Sequence, residues 1–405
     1  MRLTVKERKK ATAIVAPRYQ KARKKDKRLI LDEFTELTGY GRRYASYVLR
    51  SHGRKVWVNA STRIQGDVRK RATRKKPPVY DNEVLEALRK VWDIMDYICG
   101  KRLAPVLKET VIRLERCREI RISDKVREKL FKISPATIDR LLAKERKKQQ
   151  IKGRSNTKPG TLLRNQIPIR TFSDWNEKKP GFTEIDLVGH DGGDGHGEFA
   201  QTLDVTDICT TWTETEAVRN KAQKWVFDAL KDVRQRMPFP LLGIDSDSGS
   251  EFINNHLTKY CKDEHITFTR GRSYRKNDNC YVEQKNYSVV RRAVGYLRYD
   301  TEEELCTLNE LYKYLRLYTN FFQPTMKLIE KTRIGSRVSK KYDKAQTPYR
   351  RVLASPDVSA QDKQKLKTQY AKLNPAYLKR QITTLQQKLI RLNTMKRAPK
   401  KKNAA

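Results

Sequence analysis

The sequence predicts a multidomain protein of α and α/β class, with helical N-terminal domains, a central α/β domain and a basic helical C-terminal region. Three observations carry this prediction. Apolar residues recur at helical spacing up to about residue 148, strand-like runs precede helices from residue 179 onwards, and positive charge is concentrated at both ends. A chain of 405 residues is long enough for roughly two to four domains, at least one with a core of ordinary size.

Changes in composition and periodicity suggest five regions. A basic stretch that ends at Pro77-Pro78 and a polar, aperiodic stretch before residue 179 are both typical of linkers. The predicted boundaries are a basic helix-turn-helix region at 1–76, a second helical domain at 80–148, a linker at 149–178, the α/β domain at 179–330, and a basic region at 331–405 with a helix at about 375–394.

The net charge of +42 is too large to serve solubility alone and indicates a polyanionic partner, nucleic acid before an anionic membrane surface. Residues 1–76 carry 24 Lys/Arg against 6 Asp/Glu, and residues 331–405 carry 21 against 3. The central body is therefore nearly balanced, and we expect both ends to contact the partner.

Residues 26–51 are predicted to form two helices around a tight turn at Gly39-Tyr40-Gly41. Apolar stripes support each helix: Ile30, Phe34 and Leu37 in the first, and Tyr44, Tyr47 and Val48 in the second. Basic residues on the second helix favour a DNA-binding helix-turn-helix, with a helical hairpin that touches no base as the alternative. The candidate DNA contacts here are Arg42, Arg43 and Arg50.

Residues 80–148 are strongly helical and end in a second helix-turn-helix candidate. Ser134 is a natural N-cap and Pro135 a natural first helical residue. The inner face of the following helix is predicted to be Ile138, Leu141 and Leu142. A plain helical bundle explains this pattern as well as DNA contact does.

The central region is predicted to hold a mixed five-stranded sheet with helices. The predicted strands are 181–189, 198–205, 208–217, 240–247 and 265–269. The predicted helices are 219–236, 251–263, 281–298 and 302–320. In the first of these helices the inward stripe is Ala222, Trp225, Val226, Ala229 and Val233.

The last predicted helix starts at Asn374-Pro375, an N-cap followed by proline. Its apolar stripe repeats at steps of four and three: Leu378, Ile382, Leu385, Leu389 and Leu392. Two heptads are marginal for an independent coiled coil, so packing against the same chain and dimerisation are both open.

Three acidic residues on separate predicted elements stand out in this basic chain: Asp186 on a strand, Asp247 where a strand enters a Gly/Ser turn, and Glu283 at a helix start. An acid among the apolar neighbours of Asp186 is costly unless it meets a cation. Asp245 competes with Asp247 because residues two apart on a strand face one side; Asp247 is preferred because it precedes the turn and leaves 35 residues before Glu283. Carboxylates that converge can hold divalent metal ions for phosphoryl transfer.

These motifs resemble a family. TEIDLV around Asp186, DSDSGSEFIN around Asp247 and NDNCYVEQKN around Glu283 are similar to the D,D-35-E motifs of bacterial insertion-sequence transposases, whose catalytic core is retroviral-integrase-like. VTDICTTWTE at 205–214 resembles the second and third strands of that core. The resemblance covers about half the chain, and the last 75 residues match no family we can name.

The resemblance implies an RNase H-like core in which Asp186, Asp247 and Glu283 are both catalytic residues and metal ligands, with two Mg²⁺ or Mn²⁺ ions. It implies 3′-end cleavage and strand transfer into target DNA, double-stranded DNA as partner, a dimer or larger synaptic complex, and a bacterial, nucleoid-associated cytoplasmic setting. Two positions depart from the pattern: Ser248 replaces the usual Asn, and Val290 occupies a position that is often basic, with Arg291 next to it.

Further candidate DNA contacts surround the predicted Glu283 helix. A basic loop precedes it, and phosphate contact is its expected role. The candidates are Arg270, Arg272, Arg275, Lys276, Lys285 and Arg291. We assign no catalytic role to His190 or His196, because metal-assisted attack needs no side-chain base.

The six cysteines form no C-x-x-C pair and share no zinc-finger spacing with the five histidines, which suits free thiols in a reducing compartment. No apolar run of membrane-spanning length and no secretory signal pattern occurs. Two other functions fit the same residues: an RNase H-like nuclease that cuts without joining, and a DNA-binding regulator with an inactive core.

Overall fold

A computed structural model describes residues 3–57, 63–65, 79–148, 179–247, 249, 251–252, 254–271, 279–334 and 337–397. The chain divides into an N-terminal unit, Met1–Val79, and a main unit, Tyr80–Ala405. The predicted linker at 149–178 lies outside the described residues.

The N-terminal unit is a three-helix domain followed by a short hairpin. Its elements are α1 (Val5–Lys21), α2 (Lys24–Thr38), α3 (Arg42–Ser51), β1 (Lys55–Trp57) and β2 (Arg63–Gln65). Gly39 ends α2 in the left-handed region at φ 67°, so the predicted helices and the glycine turn are confirmed. α1 was not predicted; it supplies Ala16 and Tyr19 to the core.

The predicted apolar stripe of α3 is wrong in two positions. Val48 is buried as expected, but Tyr44 and Tyr47 are 52% and 59% exposed. Ala45 and Leu49 take their place in the core. Two aromatic rings therefore lie on the outer surface of a basic helix. On α2, Leu37 was also predicted to face the core, but its side chain is 54% exposed.

The main unit begins with five helices, of which the first four share one apolar core. They are α4 (Asn82–Ile94), α5 (Gly100–Arg116), α6 (Asp124–Lys132), α7 (Pro135–Leu141) and α8 (Ala143–Lys148). The predicted cap is confirmed, because the Ser134 hydroxyl accepts a hydrogen bond from the Thr137 N–H at 3.2 Å and Pro135 opens α7. Ile138 and Leu142 are fully buried.

The sheet at the centre of the main unit has five strands in the order β5-β4-β3-β6-β7. The strands are β3 (Phe182–Gly189), β4 (Gln201–Asp207), β5 (Thr213–Val218), β6 (Gly243–Ser246) and β7 (Thr267–Arg270). β3, β4 and β5 pair antiparallel, whereas β6 pairs parallel with both β3 and β7. This is the strand order and direction of an RNase H-like fold, so the mixed five-stranded sheet is confirmed.

Helices link the parallel strands and cover the sheet. α9 (Gln223–Arg236) and α10 (Asn255–Asp263) flank β6, and a helix with a π-helical middle follows β7: α11 (Cys280–Lys285), the π segment (Asn286–Arg291) and α12 (Arg292–Val294). In α9 the expected inward Trp225 is 38% exposed, and Leu230 is buried instead. The third helix ends at Val294 rather than 298, because Gly295 reverses the chain at φ 70°.

Helix α13 (Glu302–Phe322) packs along the edge strand β5. Arg316 donates to both carboxylate oxygens of the buried Glu214, at 2.6 and 2.8 Å, and Trp212 donates to the same carboxylate at 2.8 Å. A buried carboxylate with this many donors is satisfied in the low-dielectric interior, so the pairing fixes α13 on the sheet.

The C-terminal region folds onto the same body. After α13 come β8 (Leu328–Ile334), β9 (Arg337–Tyr342), α14 (Pro348–Ala354), α15 (Ala360–Lys372) and α16 (Pro375–Arg397). The hairpin, α14 and α15 were not predicted, because their polar sequence shows little periodicity. Among the described residues no helix combines the length and the apolar character needed to cross a membrane.

The apolar stripe of α16 packs within the chain. Leu378, Ile382, Leu385 and Leu389 are buried in one core with α13 residues such as Leu308 and Leu311. Of the two alternatives for this stripe, the structure therefore supports packing against the same chain.

We expect Leu389→Ala to lower the free energy of unfolding by about 2–5 kcal/mol, because it removes buried methyl groups and leaves a cavity. Ile390→Ala is the matched control, since Ile390 is 54% exposed whereas Leu389 is 1% exposed. Urea unfolding at two protein concentrations measures both. A loss that depends on concentration, or an equal loss in both variants, would contradict packing within the chain.

Candidate active site

Asp186 lies in the middle of β3, the central strand of the sheet, with a half-buried side chain. Its Oδ2 accepts a hydrogen bond from the side-chain amide of Asn286 at 2.6 Å. Burial raises the pKa of this carboxyl, and the nearby charge of Asp247 raises it further. Asp247 therefore lies close enough to Asp186 to disfavour its ionisation.

Asp247 follows the last residue of β6, the parallel neighbour of β3. Its Oδ1 accepts the Gly249 N–H at 2.9 Å. Burial raises the pKa of Asp247, and the charge of Glu251 adds to the effect. The charge of Glu251 acts on Asp247, so Glu251 belongs to this acidic neighbourhood.

The competing residue Asp245 occupies a different environment. Its side chain is fully buried and accepts a hydrogen bond from the Thr269 hydroxyl. With its amide oriented to satisfy both partners, Asn279 donates to Asp245 at 3.0 Å and accepts the Asp247 N–H at 3.1 Å. Protein donors thus surround Asp245.

Glu283 lies on α11 with an exposed side chain. The start of α11 is fixed by Glu184, whose Oε2 accepts the N–H groups of Tyr281 and Val282 at 2.7 and 2.8 Å. One turn after Glu283, Asn286 contacts Asp186. The helix is therefore held on β3 at two points, on either side of Glu283.

The pKa of Glu184 is well above its usual range because the side chain is buried, and the charges of Asp245 and Glu283 raise it further. Glu283 is thus near Glu184, two residues from Asp186 on the same strand. Among the residues that the structure describes, no three His, Cys, Asp or Glu side chains stand in an arrangement that could hold a metal ion. The described geometry brings Asp186 near Asp247 and places Glu283 near Glu184 on an anchored helix.

Behind Asp186 lies another buried acid, Asp204, and the charge of a buried lysine acts on it. Asp204 is directly opposite Asp186 in the β3–β4 register, and burial raises its pKa while the charge of Lys285 opposes that rise. Burial in turn lowers the pKa of Lys285, whose Nζ donates to the Thr211 carbonyl at 3.4 Å. Lys285 therefore serves as an internal counter-charge beneath the acidic site.

With this geometry established, comparison with known proteins identifies the family. No family model matches the chain. The chain is 40% identical over 341 residues to the uncharacterized protein y4rM of Sinorhizobium fredii (strain NBRC 101917 / NGR234), a match that covers 84% of this chain and 93% of that protein. The chain belongs to the y4rM family.

Solved structures similar to this y4rM-family chain include two retroviral integrase cores. The catalytic core domain of BIV integrase matches at 16% identity and TM-score 0.28, over 42% of this chain and 91% of that one. The HTLV-2 integrase catalytic core domain, in complex with magnesium (dimeric form), matches at 12% identity and TM-score 0.28, over 36% and 91%. The strand order and directions of the sheet define the fold of this chain.

Three of the six candidate DNA contacts near the site are among the described residues, and each of these is packed within the protein. Arg270 is buried at the end of β7, and Arg291 donates to the Gly189 carbonyl at 2.8 Å and lies over the Tyr296 ring. Lys285 is buried as described above. The remaining three, Arg272, Arg275 and Lys276, lie outside the described residues.

In the N-terminal unit the three arginines of α3 reach the surface. Arg42 pairs with Asp32 of α2, whereas Arg43 and Arg50 are exposed beside Tyr44 and Tyr47. Basic and aromatic side chains therefore share the outer face of α3.

The two histidines that were given no role lie apart from the acidic pair. His190 is buried, its pKa is lowered to about 3 by burial, and its Nε2 shares a hydrogen bond with the Thr202 hydroxyl at 2.7 Å. His196 is exposed and pairs with Asp194.

Sequence reasoning missed Glu184, Asp204 and Asn286. A signal existed for two of them: Glu184 precedes Asp186 by two residues and so shares its face of the strand, and Asn286 follows Glu283 by three residues and so shares its face of the helix. Asp204 had no such signal, because its position opposite Asp186 depends on the register of the hairpin.

We expect Glu184→Ala to lower the free energy of unfolding by about 1–3 kcal/mol, because two N–H groups of α11 lose their buried acceptor. Glu184→Gln should stay within about 1 kcal/mol of the wild type, because the raised pKa already favours a neutral side chain and the amide oxygen still accepts. Urea unfolding at neutral pH measures both. Equal losses in the two variants would contradict the capping role.

Proposed function

We propose that this chain is a DNA transposase that cleaves the 3′ ends of its own element and joins them to target DNA. The single observation that carries the proposal is the juxtaposition of Asp186 and Asp247 at two adjoining parallel strands, beside an anchored helix that carries Glu283. Paired carboxylates next to a helix-borne glutamate in a basic protein suit phosphoryl transfer on a polyanion.

The three side chains are carboxylates, the donor type that a hard divalent cation prefers. Burial raises the pKa of Asp186 and Asp247, and the charges of Asp247 and Glu251, respectively, add to the two rises, so an ionised pair there needs a neighbouring positive charge. Oxygen ligands of this kind suit Mg²⁺ or Mn²⁺. We propose that Asp186, Asp247 and Glu283 hold two such ions, which when bound would activate the attacking oxygen and stabilise the leaving oxygen.

The protein's own residues then have separate tasks. Asn286 holds the Asp186 carboxylate in one orientation through its amide N–H, and Glu184 fixes the start of the helix that presents Glu283. In the first step water attacks the phosphorus at the element end and the P–O3′ bond breaks, leaving a 3′-hydroxyl. In the second step that hydroxyl attacks a phosphodiester of the target strand, and a target 3′-oxygen leaves.

The remaining parts of the proposal concern the partners and the setting. The surface arginines of α3 suit phosphate contact and the exposed tyrosines of the same helix suit contact with bases or sugars. Two element ends must be held together, so we propose a dimer or larger complex on double-stranded DNA, associated with the nucleoid in a bacterial cytoplasm.

The decisive experiment incubates labelled duplex carrying the element's terminal repeats with plasmid and Mg²⁺ or Mn²⁺. We expect wild-type protein to nick and join the ends, and Asp247→Asn to lose nearly all of both activities while still binding DNA. Asp228→Asn, on the exposed face of α9, is the matched control and should retain activity.

The other outcomes separate the competing functions. Nicking without joined product, even from an end that is already cut to a free 3′-hydroxyl, would favour a nuclease. DNA binding with no metal-dependent chemistry in the wild type would contradict the enzyme and favour a DNA-binding regulator.

We expect Arg43→Ala and Tyr47→Ala to weaken binding of terminal-repeat DNA without a loss of stability, because both side chains lie on the outer face of α3. Arg43→Ala should also reduce the dependence of log K on log salt by about one charge. Fluorescence anisotropy across a salt series measures these changes. Lys10→Ala on α1 has the same charge change; an equal effect there would mean that α3 has no special role.

A further inference from the structure

A cavity of about 290 Å³ adjoins the helix that carries Glu283. Gln284, Ser288 and Arg292 line it, so they form one stripe of that helix at steps of four residues. The other walls come from the start of α5, from α13 and from α16. The candidate active site and this cavity therefore share a single helix as their common wall.

The lining carries four cations and one carboxylate among the described residues: Arg102, Lys285, Arg292 and Lys379 against Asp96. Asp96 is already bound to two of the cations, to Arg292 at 2.6 Å and to Lys379 at 2.7 Å. Lys285 is balanced by Asp204 behind the wall. The lining as a whole keeps an excess of positive charge.

The described hydrogen bonds of Arg102, the remaining cation, do not go to Asp96 or Asp204. Its guanidinium donates to neutral acceptors, the Pro324 carbonyl at 2.5 Å and the Gln323 side chain at 3.4 Å. Burial lowers the pKa of Arg102 and the like charge of Arg292 acts in the same direction, while the charge of Asp96 opposes the shift. An anion in the cavity would relieve this repulsion, and a guanidinium is well shaped to bind phosphate.

We propose that the cavity binds the phosphate group of a nucleotide, with Arg102 and Lys379 as its main charged contacts. The volume is at the lower end of small-molecule sites, which suits one nucleotide rather than a large cofactor. Gln284 and Ser288 offer neutral hydrogen-bonding groups, and Tyr318 offers an aromatic wall. This nucleotide would belong to a DNA strand that leads to the carboxylates, and in that respect the inference rests on the proposed function.

Small probes test the cavity with little contribution from the general attraction expected between a long polyanion and this basic chain. Ser288→Cys places a thiol in the lining, and its alkylation by N-ethylmaleimide is followed in the full chain by mass spectrometry. Trypsin cuts after Lys285 and Arg291, so the peptide of residues 286–291 contains no native cysteine. The probes are thymidine monophosphate, thymidine, inorganic phosphate and hexathymidylate.

We expect thymidine monophosphate to slow the alkylation and thymidine to leave it unchanged. Lys379→Gln in the same background should weaken the protection about tenfold, because one charged hydrogen-bond donor is lost. Lys388→Gln, on the same helix but exposed and outside the lining, should not. No protection by the nucleotide, or equal effects of the two lysine variants, would overturn the proposal.

The remaining arms identify the source of the phosphate. Protection by inorganic phosphate at the same concentration as the nucleotide would overturn the nucleotide assignment. Hexathymidylate should protect at a lower concentration than the mononucleotide; failure to do so would overturn the assignment to a DNA strand. Because binding is measured without catalysis, protection in a protein that neither nicks nor joins DNA would sink the proposed function alone.

Discussion

The packing of α11 against β3 is the contact on which the candidate site depends. A buried glutamate accepts the two N–H groups at the start of the helix, and an amide one turn beyond Glu283 donates to Asp186. Both contacts are made to the same strand, so the position of the helix relative to the central strand is set at two points. Without them Glu283 would be an exposed acid with no fixed relation to Asp186 and Asp247.

That arrangement concentrates carboxylates in a low-dielectric region, and the rest of the fold compensates for it. Lys285 lies under the site and opposes the charge of Asp204, while Arg316 and Trp212 satisfy Glu214 at the sheet edge. Unpaired ions in such surroundings are strongly unfavourable. Burial raises the pKa of both Asp186 and Asp247, so their charge is incompletely compensated among the described residues, and this suits them to a cation.

The sequence was sufficient for the sheet because hairpin strands follow one another directly, whereas parallel strands alternate with helices. Three strands in succession, followed by alternating helices and strands, implied the strand order. It was sufficient for Asp186, Asp247 and Glu283 as candidates because each stands at a recognisable strand or helix boundary. It was insufficient for Lys285, because a lysine is usually expected at the surface and this one is buried where α11 packs over Asp204. The orientation of Tyr44 and Tyr47 was missed for a similar reason, since helical spacing identifies a face but α1, absent from the prediction, decides which face is covered.

The C-terminal helix has a consequence for how this molecule can be divided. α16 contributes Ala376 to the core of the first helices, donates from Gln386 to the Ala293 carbonyl at 2.6 Å, and ends with Lys396 bound to Glu304 at 2.9 Å. A fragment cut at the edges of the sheet domain would expose the apolar side of α13 that Leu385 and Leu389 cover. The segment that carries the candidate carboxylates is therefore shorter than the segment that covers their apolar surroundings, which extends from α4 to α16.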